Sequence, residues 1–368
     1  MGTEEIIPRT SGLAIAAFVL GILSLFSCGL TILPAIILGV VSFVIIEKSG
    51  GRLTGTNFAI LGIVISVCVC MILGMLGILL PALFQARQTD FRMACGANLS
   101  GIGKAMQIYA NDYDGVFPRS GSKDSIWRGR IANWRAENRF NAYELKSDGT
   151  GGSGNISSCF YLLVKHYELT PNMFICKGDV GVTKFNPADD AAGNTDLADL
   201  WDFGVEPSTH CSYSYHQPFS MFPLTSSSEP GLAVAADRNP WLIAPGADPK
   251  NIALYNPDGG RKAERAGNAI THQEDGQNVL FMDGHVGFEM RPFCSVNDDN
   301  IYTSWDGGDI RIGAPPIIGR SGPQDRLYCS RLIFSVFKRS ECESFRPAGF
   351  VIPASISFVF GKSFRKPA

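Results

Sequence analysis

From Phe58 to Leu80 the chain runs for 23 residues without a charge. At about 1.5 Å of rise per residue such a run covers a hydrocarbon core of about 30 Å, so the pattern predicts a membrane-spanning helix over residues 57–81. Beyond Pro81 the apolar positions become periodic. Cys95, Leu99, Ile102, Met106, Tyr109 and Tyr113 follow one another at spacings of 4, 3, 4, 3 and 4, while Arg87, Asp90, Arg92, Lys104, Gln107 and Asn111 fall off that stripe. This is the mark of an amphipathic helix with one face packed on a core, predicted for residues 82–118. No turn signal separates it from the apolar run, although proline's clash with the carbonyl four residues back predicts a bend at Pro81.

A second apolar region, Leu13 to Ile46, is 34 residues long and is interrupted by Cys28, Gly29 and Pro34. As one helix it would measure about 51 Å, too long for an upright span. One kinked or overlong helix is the favoured arrangement; two half-helices re-entering the same face is the other. Glycine-rich residues 47–55 then form a turn, so that residues 1–56 comprise an N-terminal tail, a first transmembrane helix and a turn, and the two apolar regions read as a helical hairpin. Gly62, Ser66, Cys70 and Gly74 repeat every four residues, with Ala17 and Gly21 or Ala35 and Gly39 available opposite, a stripe that lets helix backbones approach in lipid. No charged n-region with a short apolar core and cleavage site is present, which argues against a cleavable signal peptide. Lys48 and Arg52 argue for a cytoplasmic turn and Arg87 and Arg92 against it; cysteine usage favours a head outside the cytoplasm.

Composition fits an anchored globular protein, with 45% hydrophobic and 18% charged residues over 368 positions. The net charge of −2 and the lack of basic clusters with interleaved aromatics exclude nucleic acid as the expected partner. Cys28, Cys68 and Cys70 fall in apolar segments. Cys95, Cys159, Cys176, Cys211, Cys294, Cys329 and Cys342 are widely spaced without any CxxC, a pattern that points to disulfides, of undetermined connectivity, rather than zinc. The histidines His166, His210, His216, His272 and His285 form no HExxH, and neither a G-x-S-x-G turn nor a phosphate-binding glycine loop occurs. No catalytic residue, cofactor or metal is therefore expected.

After Pro118 the pattern predicts an α+β head. Gly149 to Gly154 reads as a flexible stretch, Ser158 to Tyr167 as a short helix, and Thr170-Pro171-Asn172 as a turn. Asp189, Asp190, Asp196, Asp199 and Asp202 read as a solvated acidic loop. Strands are predicted at Cys211 to Phe219, Leu232 to Asp237, Asn278 to Met282 and His285 to Met290, the last pair joined by a two-residue Asp283-Gly284 turn with positive φ. An antiparallel sheet packed on the Cys95 to Tyr113 stripe is the expected core.

Two segments carry a family resemblance. Residues 80–118, with Leu80-Pro81-Ala82-Leu83, Cys95, Asn98-Leu99, Ile102-Gly103 and Tyr109 through Pro118, resemble the N-terminal helix of type II secretion pseudopilin-like proteins. His272 to Asp283-Gly284, with Asn278-Val279-Leu280-Phe281-Met282, resembles the H-x9-DG signature of prepilin-type proteins of planctomycete-type bacteria, at a spacing one residue longer. Residues 10–80 are similar to a small two-helix membrane-hairpin domain of unknown function, in place of the basic leader, cleavage-point glycine and membrane glutamate of prepilins. The resemblance implies a pilin-like head over residues 119–313 on a permanent membrane anchor, followed by a basic, loosely attached tail over residues 314–368.

The expected function is thus that of a non-enzymatic, membrane-anchored, multi-pass pseudopilin-like protein. It would work through contacts with lipid and with secretion-system or other pilin-like proteins. The competing expectation is a membrane-bound metal-dependent enzyme or binding protein that gathers His272, Asp275, Asp283 and His285 in one pocket. The structural alternative for those residues is turn chemistry at Asp283 and Gly284, with His272 ordering the loop before the strand.

Overall fold

The computed structural model describes residues 9–27, 29–188, 196–219, 224–242, 244–304, 307–314 and 327–328. The chain divides into two compact units, Met1–Ala97 and Asn98–Ala368.

In the first unit, β1 (Arg9–Thr10) pairs in parallel with β2 (Leu53–Thr54), and α1 (Gly12–Leu23) and α2 (Ile32–Lys48) lie between them in sequence. Ser11 Oγ lies 3.4 Å from Ser42 Oγ and Thr31 Oγ1 donates to the Leu20 carbonyl at 3.1 Å, so the two helices are antiparallel. The first apolar region is therefore a pair of half-helices and not the single kinked or overlong helix that was favoured. Hydroxyls explain the break. Ser24 Oγ takes the Gly21 carbonyl at 2.6 Å, Thr31 takes that of Leu20, and Gly29 turns the chain at φ +86°, a backbone region open to glycine. With 12 and 17 residues, α1 and α2 measure about 18 and 26 Å, short of a bilayer core of about 30 Å.

The third helix, α3 (Thr56–Asp112), is 57 residues long and continues through Pro81, so the predicted bend does not interrupt it. It is the helix among the described residues that is long and apolar enough to cross a membrane. Its start packs on both earlier helices. A Cβ on Gly62 would stand 2.8 Å from the Ala17 carbonyl carbon, one on Gly21 would stand 2.9 Å from the Gly62 oxygen, and one on Gly39 would meet Ile63. Ser66 is buried and returns its hydroxyl to the Gly62 carbonyl at 2.8 Å. The stripe ends there: Cys70 is exposed, and nothing lies within 4 Å of a Cβ on Gly74. Phe26, Leu30, Leu33, Met71, Met75 and Ile78 are all at least 69% exposed, leaving this unit with an apolar exterior.

In the second unit, Leu99, Ile102, Met106 and Tyr109 of α3 are buried as the stripe predicts; Tyr113 is 44% exposed and stacks on Tyr109 at 4.2 Å. Short strands β3 (Ile126–Trp127) and β4 (Ser153–Gly154) pair in parallel, and α4 (Arg139–Tyr143) and α5 (Ile156–Tyr167) follow each of them. The glycine run before β4 is thus part of a packed element and not a flexible stretch. A side chain on Gly152 (φ +75°) would collide with the Tyr143 carbonyl, which is why glycine stands there. The helix α5 starts at a capping box in which Asn155 accepts from Ser158 N at 2.7 Å and Ser158 Oγ accepts from Asn155 N.

The main sheet runs in the order β8 (Val286–Glu289), β7 (Gln277–Phe281), β6 (Ala233–Asp237), β5 (Tyr213–His216), β9 (Leu327–Tyr328), with every neighbouring pair antiparallel. Every residue of β5, β6 and β7 is buried, so both faces of the centre are covered. Alternation assigns the faces: Leu280 lies against Gly103 of α3, whereas Val279 and Phe281 join Ala236, Trp241, Tyr255 and Tyr302 on the other side. Most of the predicted basic tail lies outside the described residues, as do Cys28, Cys329, Cys342, Asp189 and Asp190.

Candidate functional site

The hairpin β7–β8 places the two ends of the His272 to Gly284 segment far apart. Its register, Leu280 opposite Val286, leaves Met282, Asp283 and Gly284 as a three-residue loop, closed by Gly284 N–H on the Phe281 carbonyl at 2.9 Å. Only Gly284 of these has positive φ (+88°), so the turn is a type I turn followed by a glycine bulge, not the predicted two-residue turn. Asp283 is exposed on its tip and accepts from His285 N at 3.0 Å and from His285 Nδ1 at 2.6 Å. These bonds, backbone first, hold its carboxyl below the ordinary range.

His272 sits at the opposite end of β7, wholly buried, in a single 3₁₀ turn. A strand of five residues rises about 3.3 Å per residue, so β7 alone separates the two by about 16 Å. Asp275 is held elsewhere again, in an ion pair with Arg265 at 2.7 Å. The structure therefore does not gather His272, Asp275, Asp283 and His285, and the pocket that the metal-dependent reading required is not formed by them. An open cleft of about 410 Å³ elsewhere on the head, between Tyr113, Arg119, Arg139, His166 and Trp201, includes none of the four.

What surrounds His272 instead is a buried polar knot. Its Nε2 lies 3.1 Å from Asp237 Oδ2, and the same carboxylate oxygen accepts from Asn278 N at 2.6 Å and Asn278 Nδ2 at 3.0 Å. Asn278 Nδ2 lies 3.2 Å from the same nitrogen, and because that amide already donates to the carboxylate, the Asp237 contact assigns the imidazole proton to Nε2. Cys176 Sγ is 3.9 Å from that nitrogen. Asp237 Oδ1 and His272 Nδ1 are buried without a hydrogen-bond partner. Cys95 and Cys176 are both disulfide-bonded, and Cys68, Cys70, Cys159, Cys211 and Cys294 are not.

The loop joining His272 to β7 is strained and pinned. Gln273 and Glu274 stand at φ +59° and +63°, two consecutive non-glycine residues in the left-handed region. Arg265 holds them, donating to the carbonyls of Gln273 at 2.9 Å and Glu274 at 3.1 Å and to Asp275 at 2.7 Å, while Asn268 Nδ2 donates to the Glu274 carbonyl at 3.0 Å. Beside the knot, Arg238 pairs with Asp179 at 2.8 Å and donates to the Ser208 and Cys211 carbonyls. Burial pushes the Asp179 carboxyl above its ordinary value, against the pull of Arg238.

A second buried carboxyl was misplaced by its neighbourhood in the sequence. Asp202 closes the acidic run predicted to be solvated, yet it is wholly buried and accepts from Asn155 Nδ2 at 2.7 Å and Phe203 N at 2.8 Å. Burial pushes its pKa to about 7, with the hydrogen bonds from Asn155 and Phe203 opposing. Asp237 and Asn278, the partners of His272, also went unmarked. The available signal was a carboxylate ending an otherwise apolar strand, Ala233-Val234-Ala235-Ala236-Asp237, which must find a donor when buried.

Compared with protein families, with curated proteins and with solved structures, the chain matches none.

Proposed function

We propose that this protein is a membrane-anchored, non-enzymatic pseudopilin-like protein that acts through protein contacts in type II secretion or cell-surface assembly. The observation that carries the proposal is the continuity of α3: one 57-residue helix supplies both an apolar stretch long enough to span a bilayer and the buried stripe of the α+β head. A helix of this kind carries an anchor segment and a head segment in one element, the arrangement that the resemblance of residues 80–118 implies. On this reading α1 and α2 are a re-entrant hairpin beside the spanning segment, and the head lies outside the cytoplasm, where the disulfide bonds of Cys95 and Cys176 persist. In the oxidised protein the contacts around His272 fix the entry into β7.

The test is isolation of the protein from native membranes under mild detergent, with intact mass and identification of crosslinked partners. A mass near 39.8 kDa with pilin-like or secretion-system proteins crosslinked through the head is expected. Release from membranes by alkaline washing, or a head that crosslinks to none of these proteins, would refute it.

A further inference from the structure

We propose that Cys176, Asp237 and His272 form a site for a divalent transition ion of the zinc class, opened when the disulfide at Cys176 is reduced. The inference stands apart from the pseudopilin-like reading and from the His272/Asp283 pocket, which the fold does not form. One ligand atom from each of the three residues lies within 4.8 Å of the others, and all three residues are buried. Bonds of about 2.0–2.3 Å to zinc place tetrahedral ligands about 3.3–3.8 Å apart. The separations present, 3.1 Å from Asp237 Oδ2 to His272 Nε2 and 3.9 Å from His272 Nε2 to Cys176 Sγ, bracket that edge, so little movement is needed.

Charge and donor type agree. A thiolate and a carboxylate with a neutral imidazole supply two negative charges, which a divalent ion neutralises inside a region closed to water. Asp237 Oδ2 is the ligand oxygen of that separation and is held in place by its bonds from Asn278, while Oδ1, buried without a hydrogen-bond partner, is a second donor on the same carboxylate. Sulfur, imidazole and carboxylate together select zinc or cobalt over calcium or magnesium, which prefer all-oxygen shells. A half-cystine sulfur is no thiolate, so the oxidised protein lacks one ligand.

The opening step balances with a trialkylphosphine as reductant. The phosphine gives two electrons to the sulfur–sulfur bond and takes the oxygen of a water molecule, becoming a phosphine oxide; the two protons of that water go to the two sulfurs released. When the ion binds, the Cys176 thiol proton leaves to buffer, and the His272 ring proton moves from Nε2 to Nδ1 as Nε2 becomes the ligand.

The experiment uses the full chain in detergent micelles, oxidised or phosphine-reduced and desalted without air, titrated with cobalt(II) and then with zinc(II). The reduced protein is expected to take up one cobalt per chain, with a thiolate-to-cobalt charge-transfer band that zinc abolishes. Zinc should also slow alkylation of Cys176, mapped by peptide mass, at least about 10-fold. The oxidised protein and the reduced Cys176→Ser variant should show no charge-transfer band. Equal cobalt spectra in the oxidised and reduced proteins, no zinc protection of Cys176, or unfolding on reduction would each overturn the proposal. The protection assay needs no substitution, so a variant that fails to fold does not leave the question open.

Discussion

Asp202 sets a pH dependence that the fold makes specific. Its carboxyl rises from 3.8 to about 7 on burial, a difference of about 3.2 units (7 minus 3.8). A folded-state pKa above the unfolded one means that the folded protein binds the extra proton, so the associated stability is complete below pH 3.8 and is lost as pH rises through about 7. At about 1.36 kcal/mol per unit the whole loss is on the order of 4 kcal/mol, with a slope approaching −1.4 kcal/mol per pH unit in between. The assay is denaturant unfolding of the full chain in micelles from pH 5 to pH 8.5, followed by tryptophan fluorescence, to which the adjacent Trp201 contributes. Asp202→Asn cannot ionise, and its profile should lose that slope whatever its baseline stability. Parallel profiles for the wild type and Asp202→Asn would show the carboxyl to be charged in the folded state and would refute the reasoning.

Four further outcomes follow from the same contacts. Asp237→Ala leaves Asn278 N–H and His272 without their shared buried acceptor and should cost about 3–5 kcal/mol in chemical denaturation, whereas Asp283→Ala on the exposed turn should cost less than about 1 kcal/mol. Gly62→Leu should separate α3 from α1 and lower the detergent-phase melting temperature, while Gly74→Leu, which meets nothing, should leave it unchanged. Asn155→Ala removes both the α5 cap and a donor to Asp202, for an expected loss of about 1–3 kcal/mol by the same denaturation assay. Arg265→Ala should free the strained Gln273–Glu274 segment and speed amide exchange there, with exchange in β6 unaffected.

How much of this was legible depends on whether the signal was periodic or spatial. The long helix and four strands of the sheet were written in spacing: the uncharged run from Phe58, the stripe through Leu99 and Ile102, and the apolar runs at β5 to β8 each repeat with their element's own period. Where local hydroxyls or glycines decided the outcome, the pattern misled. Ser24 and Thr31 ended α1 inside what composition presented as one apolar region, and Gly152 packed where a glycine run suggested slack. The edge strand Leu327–Tyr328 gave no period to read at all.

The site was the least legible part because its members come from separate elements. Residues at positions 176, 237, 272 and 278 meet only once β6 and β7 pair, since the register sets Ala236 opposite Val279 and so brings the end of β6 to the start of β7. The sequence resemblance drew attention to His272 and Asp283 as though they formed one motif, but β7 keeps them at opposite ends. The same strand that parts them is what delivers His272 to Asp237: Asn278, its second residue, donates twice to the carboxylate that His272 Nε2 meets at 3.1 Å. A motif read along the chain as a pair is, in the fold, a turn at one end of a strand and a buried acid–imidazole contact at the other. Substitutions at the two ends should accordingly be additive within about 0.5 kcal/mol in a double-mutant cycle of His272→Gln with Asp283→Asn. A coupling of 1 kcal/mol or more would mean that the two ends act as one unit after all.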